Sequence, residues 1–195
     1  MKRNVVSIGF RAKTGRAIAV VLGGTSDEPL VLAKTEITLF DRNIPATAQP
    51  YHAVMDLPWK ESEKAARKYT KVIEKIARHT VTSMLNEQAA KGNRVSAVGI
   101  VGSADRDLTK IGNPHIRAHA AEGILFRRVL DLAAEANGLQ WRAFSDETLT
   151  AGAGRRSAWL KRKIDELRTR VAAPWRAEEK QAATAAWLVL HGEVH

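Results

Sequence analysis

The first forty residues fall into three apolar runs separated by turn residues. Asn4 to Gly9 is apolar and β-branched, and Arg11 to Gly15 reads as a turn in which Gly15 is free to take positive φ. Ala17 to Leu22 is a second run, closed by Gly23-Gly24, and Thr25-Ser26-Asp27-Glu28-Pro29 carries turn chemistry. Leu30 to Phe40 alternates in part, with Thr35, Ile37 and Leu39 on one side and Lys34, Glu36 and Thr38 on the other. Short turns between consecutive strands imply an antiparallel meander.

The pattern then changes period. Asp41 to Trp59 contains Pro45, Pro50 and Pro58 and reads as a long surface connection. Lys60 to Lys91 has helical spacing, with Ala65, Tyr69, Val72, Ile73, Ile76, Thr80 and Met84 expected to face the core and Gly92-Asn93 to end the helix. Val95 to Val101 reads as a buried strand and Gly102 to Gly112 as a loop. Asn113-Pro114 is a helix start, with Asn as N-cap and Pro at the first helical position. That helix runs to about Ala136, followed by a fifth strand, Leu139 to Phe144. Two more helices, Arg156 to Val171 and Arg176 to Leu190, are separated by Pro174. The expected fold is α/β: a mixed five-stranded sheet with helices on both faces, in a single domain spanning 1–195. Its strands are a three-strand antiparallel meander plus two parallel strands, with strand one central and parallel to strand four.

Composition adds a strong charge bias. The 195 residues carry a formal net charge of +10, so a polyanion, nucleic acid first, is the expected partner. Lys60, Lys64, Arg67, Lys68, Lys71, Lys75 and Arg78 recur at spacings of three and four along one side of the long helix. A second basic group is Arg155, Arg156, Lys161, Arg162, Lys163, Arg168 and Arg170. Trp159 and Trp175 flank it, where they would either stack on bases or pack inside the protein. There is no cysteine, which excludes disulfides and thiolate chemistry and suits a reducing, cytoplasmic setting. No apolar run approaches membrane-spanning length, and the basic N-terminus makes a poor signal peptide.

Three stretches and the last helix carry a family resemblance. The opening Ser7-Ile8-Gly9-Phe10-Arg11-Ala12-Lys13-Thr14-Gly15-Arg16-Ala17 resembles the first hairpin of RuvC-type Holliday-junction resolvases, within the RNase H-like superfamily. Gly112-Asn113 through Ala120-Ala121-Glu122-Gly123-Ile124-Leu125, continuing to Gly138, is similar to that family's helix after strand four. Thr150-Ala151-Gly152-Ala153-Gly154-Arg155 resembles its turn after strand five. Ala182-Ala183-Thr184-Ala185-Ala186-Trp187-Leu188 resembles its last helix.

The resemblance implies a nuclease site of acidic side chains holding two metal ions, and those acids are missing here. The strand-one position is Gly9, or Phe10 if the register shifts by one. The strand-four edge is Ile100, Val101 and Gly102. At the start of the last helix the matching pair is Glu178, which is retained, and Gln181. Arg11, Lys13 and Arg16 are expected nearby and would repel a cation. No catalytic residue, metal or other cofactor is therefore assigned.

The residues leave three readings open. The first is a non-catalytic RuvC-like protein that binds structured nucleic acid or scaffolds a complex that does. The second is a Mg²⁺-dependent endonuclease whose site has moved to Asp105 or Asp107 with Asp146, Glu147 and Glu178. The third is a protein-interaction module, a homodimer, whose basic surface serves solubility. His115, His119 and Glu122 share a helix face and could bind Zn²⁺. Without a His-Glu-x-x-His pattern, a partly exposed helical pair is the simpler account.

Overall fold

The computed structural model describes residues 4–192. β1 (Asn4–Lys13), β2 (Arg16–Gly24) and β3 (Pro29–Thr38) form the antiparallel meander, and β4 (Asn93–Val101) and β5 (Gln140–Phe144) extend the sheet in parallel. The strand order is β3-β2-β1-β4-β5, so β1 is central and parallel to β4. The expected turn at Arg11 to Gly15 is shorter than its composition suggests. Pairing of Arg11 with Ile18 and Lys13 with Arg16 carries β1 through to Lys13, and Gly15 makes the turn at φ +76°.

Strand alternation sorts side chains between two layers. Val6, Ile8, Phe10 and Ala12 of β1 join Ala17, Ala19 and Val21 of β2 under one pair of helices. These are α1 (Trp59–Ala90) and α2 (Pro114–Ala136). On the other face, Ile18, Val20, Leu22, Ala97 and Val101 pack beneath α3 (Asp146–Gly152), α4 (Ser157–Glu166) and α5 (Ala177–His191). Phe10, Phe126 and Phe144 are fully or almost fully enclosed.

Several expectations on helices need correction. The innermost line of α1 is Ser62, Ala66, Ile73, Ala77, Val81, Met84 and Gln88. Ile73 and Met84 lie on it as expected, but Ala65, Tyr69, Val72, Ile76 and Thr80 are only half-buried, because the helix docks with its inner face turned by about one residue, onto Ala66, Ala77 and Val81. The stretch around Gly152 is helix rather than turn. Ser145 caps α3 with a reciprocal Ser145–Thr148 pair, and a single 3₁₀ turn, Gly154–Arg156, leads into α4. The helix expected to reach Val171 ends as α-helix at Glu166 and closes in a 3₁₀ turn, Leu167–Thr169. Asn113 caps α2 as expected, accepting from the backbone N–H of Ile116 at 3.0 Å. Among the described residues, no helix is long and apolar enough to cross a membrane.

Candidate functional site

The edge of the sheet where β1 and β4 end is built from residues far apart in sequence. Ser7, Gly9 and Arg11 face from β1 toward α5, opposite in sense to Ile8 and Phe10. The Ser7 hydroxyl donates to the carbonyl of Ala186 at 2.7 Å. Gly9 has no room for a side chain, because a Cβ there would overlap the carbonyl oxygen of Ala182. Its partner on β4, Gly99, is equally confined, with a Cβ lying 2.5 Å from the carbonyl oxygen of Ala185. Val101, one step beyond Gly99 on the same face, is buried in the apolar layer.

Next along β1, Arg11 is almost wholly buried and reaches Asp146, the first residue of α3. Its Nη1 and Nη2 lie 3.3 Å from the two carboxylate oxygens. Gln181, one turn into α5, donates its side-chain amide to Asp146 Oδ1 at 3.0 Å. Arg16, across the hairpin, grips Glu178 with two hydrogen bonds, 2.8 and 3.2 Å, and Lys13 stands 3.8 Å from the same carboxylate. Partial burial pushes the Glu178 carboxyl up. The hydrogen bond and charge of Arg16, with Lys13 and Arg11, outweigh that and hold it below its ordinary value. Arg16 is held above its own ordinary value, chiefly by its hydrogen bond to Glu178.

The remaining acids are elsewhere. Asp105 pairs with Arg127 at 2.7 Å, and Arg127 is also bonded to the buried Asp131 at 2.6 Å. Asp107 caps the 3₁₀ turn Leu108–Lys110 by accepting from Thr109. Glu147 is an exposed residue in the first turn of α3. Among the described residues, Asp105, Asp107, Asp146, Glu147 and Glu178 do not gather into one cluster. The trio of potential metal ligands that does converge is His52, His119 and Glu122. His52 comes from the Pro-containing connection, and its local sequence carries no motif that would have singled it out.

The two basic groups lie on opposite faces of the sheet, one on α1 and one around α4. Lys60, Lys64, Arg67, Lys68, Lys71, Lys75 and Arg78 are all exposed, and none has an acidic partner among the described residues. The group around α4 is partly neutralised. Arg156 pairs with Asp27, while Arg162 and Lys163 share Glu166. Arg155 and Lys161 remain exposed without such partners among the described residues. The tryptophans beside them are structural. Trp175 is buried and donates its indole N–H to the carbonyl of Ile164 at 2.9 Å. Trp159 is half-buried, with the Arg156 guanidinium 4.1 Å above its ring and Trp187 alongside.

No protein-family model and no curated protein matches this sequence. Solved structures do. The RuvC of Thermus thermophilus in complex with a Holliday junction substrate superposes with a TM-score of 0.53 at 10% identity, covering 95% of this chain and 92% of that one. A second structure of Thermus thermophilus RuvC gives a TM-score of 0.50 at 10% identity, with 94% and 92% covered. Near-complete mutual coverage with the same mixed sheet and flanking helices places the architecture: this chain adopts the RNase H-like fold in its RuvC-like form.

Proposed function

We propose that this protein binds structured nucleic acid on a RuvC-like scaffold and does not cleave it. The observation that carries this reading is the engagement of Asp146 by Arg11 and of Glu178 by Arg16, at the end of β1 beyond Gly9, which stands in place of a carboxylate. A two-metal nuclease needs several free carboxylates to hold the cations and balance developing charge. Here guanidinium groups already neutralise the two nearest acids, and Gln181 turns its amide toward one of them. Gly9 and Val101 add no ligand. This donor set does not fit a pair of Mg²⁺ ions, and no metal-dependent step is assigned to it.

Binding rests on different residues. The exposed stripe of α1, unpaired among the described residues, runs from Lys60 to Arg78, about 27 Å at 1.5 Å per residue. Cations spaced along such a length suit successive phosphates of a nucleic-acid backbone, with contacts that are sequence-independent and salt-sensitive. Arg155, Arg156, Lys161 and Arg162 would add contacts on the opposite face, more weakly where Glu166 and Asp27 already neutralise them. One neighbour in fold was solved on a Holliday junction, so four-way DNA is the first substrate to try.

The test pairs binding with cleavage. Gel shifts at about 50 mM salt with four-way, duplex and single-stranded DNA should show a complex that dissolves as salt rises. Incubation of the same substrates and an RNA–DNA hybrid with Mg²⁺ or Mn²⁺ should leave them intact. Absence of any shift would remove the binding reading. Cleavage that disappears on Asp146→Ala or Glu178→Ala would establish the relocated nuclease instead.

A further inference from the structure

We propose that His52, His119 and Glu122 form a binding site for a divalent transition metal of the zinc class. The site fastens the long connection between β3 and α1 onto α2. It lies on the α1/α2 side of the sheet, away from the Arg11–Asp146 edge, and does not depend on nucleic-acid binding.

The geometry starts from Glu122. This carboxylate is completely buried on α2, and its Oε1 accepts the backbone N–H groups of Tyr51 and His52 at 3.2 and 3.1 Å. Its Oε2 lies 2.9 Å from His52 Nδ1, and His52 is its only basic neighbour at salt-bridge distance among the described residues. A buried carboxylate needs a compensating positive charge, and among the described residues no Lys or Arg supplies it at that distance. His119 projects from the same face of α2 one turn earlier. Its ring centroid is 6.0 Å from that of His52, and one ligand atom from each of His52, His119 and Glu122 falls within 4.8 Å of the others.

Bonds of about 2.1 Å to a tetrahedral zinc would bring such atoms to about 3.4 Å apart. The exposed His119 can close that gap by turning about its side-chain torsions, while Glu122 stays fixed by its backbone donors. Two imidazoles and one carboxylate are ligands that zinc takes readily, and they are too rich in nitrogen for Mg²⁺ or Ca²⁺. A fourth position faces solvent, beside the exposed ring of His115, which stands edge-on to His52 at 4.9 Å.

The test uses the full chain stripped with a chelator and titrated with Co²⁺ or Zn²⁺. Wild type should take up one ion per chain, show the visible absorption of low-coordinate cobalt, and unfold at a higher temperature with zinc than without. His119→Ala removes only an exposed ligand, so it should fold normally. It should lose affinity by at least about 10-fold and lose the thermal shift. His52→Ala should do the same, and the exposed His79→Ala on α1 should change nothing. If His52→Ala binds as tightly as wild type, the ion is held by the surface pair His115 and His119 alone and the proposed site is wrong. Failure of wild type to bind either ion would also overturn it.

Discussion

Gly9 and Gly99 are register partners on β1 and β4, and together they make the floor on which α5 rests. Neither position has space for a methyl group beneath the Ala182 and Ala185 carbonyls. The helix answers with Ala182, Ala183, Ala185 and Ala186, all fully buried. Small residues on both surfaces let backbone meet backbone, which leaves no space at Gly9 for the acidic side chain that the resemblance to RuvC-type resolvases implies there.

Gly9→Asp should therefore destabilise the protein instead of restoring a site. The new side chain would collide with backbone, not with a movable side chain, so the cost should be at the upper end for overpacking, at least about 3 kcal/mol. Thermal unfolding checks this. A Gly9→Asp protein with unchanged Tm would show that α5 can lift away from β1.

The Arg16–Glu178 pair predicts a pH effect with a definite sign. The Glu178 carboxyl is held below its ordinary value of 4.5, so the folded state prefers the ionised form more than the unfolded chain does. Its contribution to stability is complete above about pH 4.5 and is lost as pH falls through the lower folded value. Carbon-detected NMR titration should place Glu178 below 4.5 in the wild type and move it upward in Arg16→Ala. Both partners are partly exposed, so the change in stability itself should be small.

Charge reversal on α1 should weaken nucleic-acid binding without touching the fold. Lys64→Glu, Lys71→Glu and Lys75→Glu together alter only exposed side chains. Affinity at low salt should fall, and the slope of log affinity against log salt should shrink by about 0.9 for each duplex phosphate that the protein no longer neutralises. Titrations at several salt concentrations check it. An unchanged slope would move the interface off α1.

Trp175 separates base stacking from core packing. Its ring is buried and its indole N–H holds the Ile164 carbonyl, so Trp175→Phe should cost about 1 kcal/mol for the missing hydrogen bond, plus some packing. DNA affinity should stay the same. A loss of affinity at unchanged Tm would return Trp175 to the binding surface.

The order and kind of the elements follow from the amino-acid sequence alone. Apolar periods of two and of about 3.6, the Asn113-Pro114 start, and the Gly15 and Gly92 turns are local signals. Each acts within a few residues, so the strands, the helices and the antiparallel meander could be read directly, while the central place of β1 and the helices on both faces are relations between distant segments that the family resemblance implied. The Ala-rich last helix was visible too, although its match to Gly9 and Gly99 was not. Other relationships exist only once the chain is folded. Arg11 and Asp146 are 135 positions apart, Arg16 and Glu178 are 162 apart, and His52 and Glu122 are 70 apart. No local pattern joins such residues, because their meeting depends on how each helix docks and which way each strand face turns. The same docking placed the two basic groups on opposite faces and put Trp175 in the core. Charge and aromatic content are read along a line, while burial and pairing are settled by packing in three dimensions.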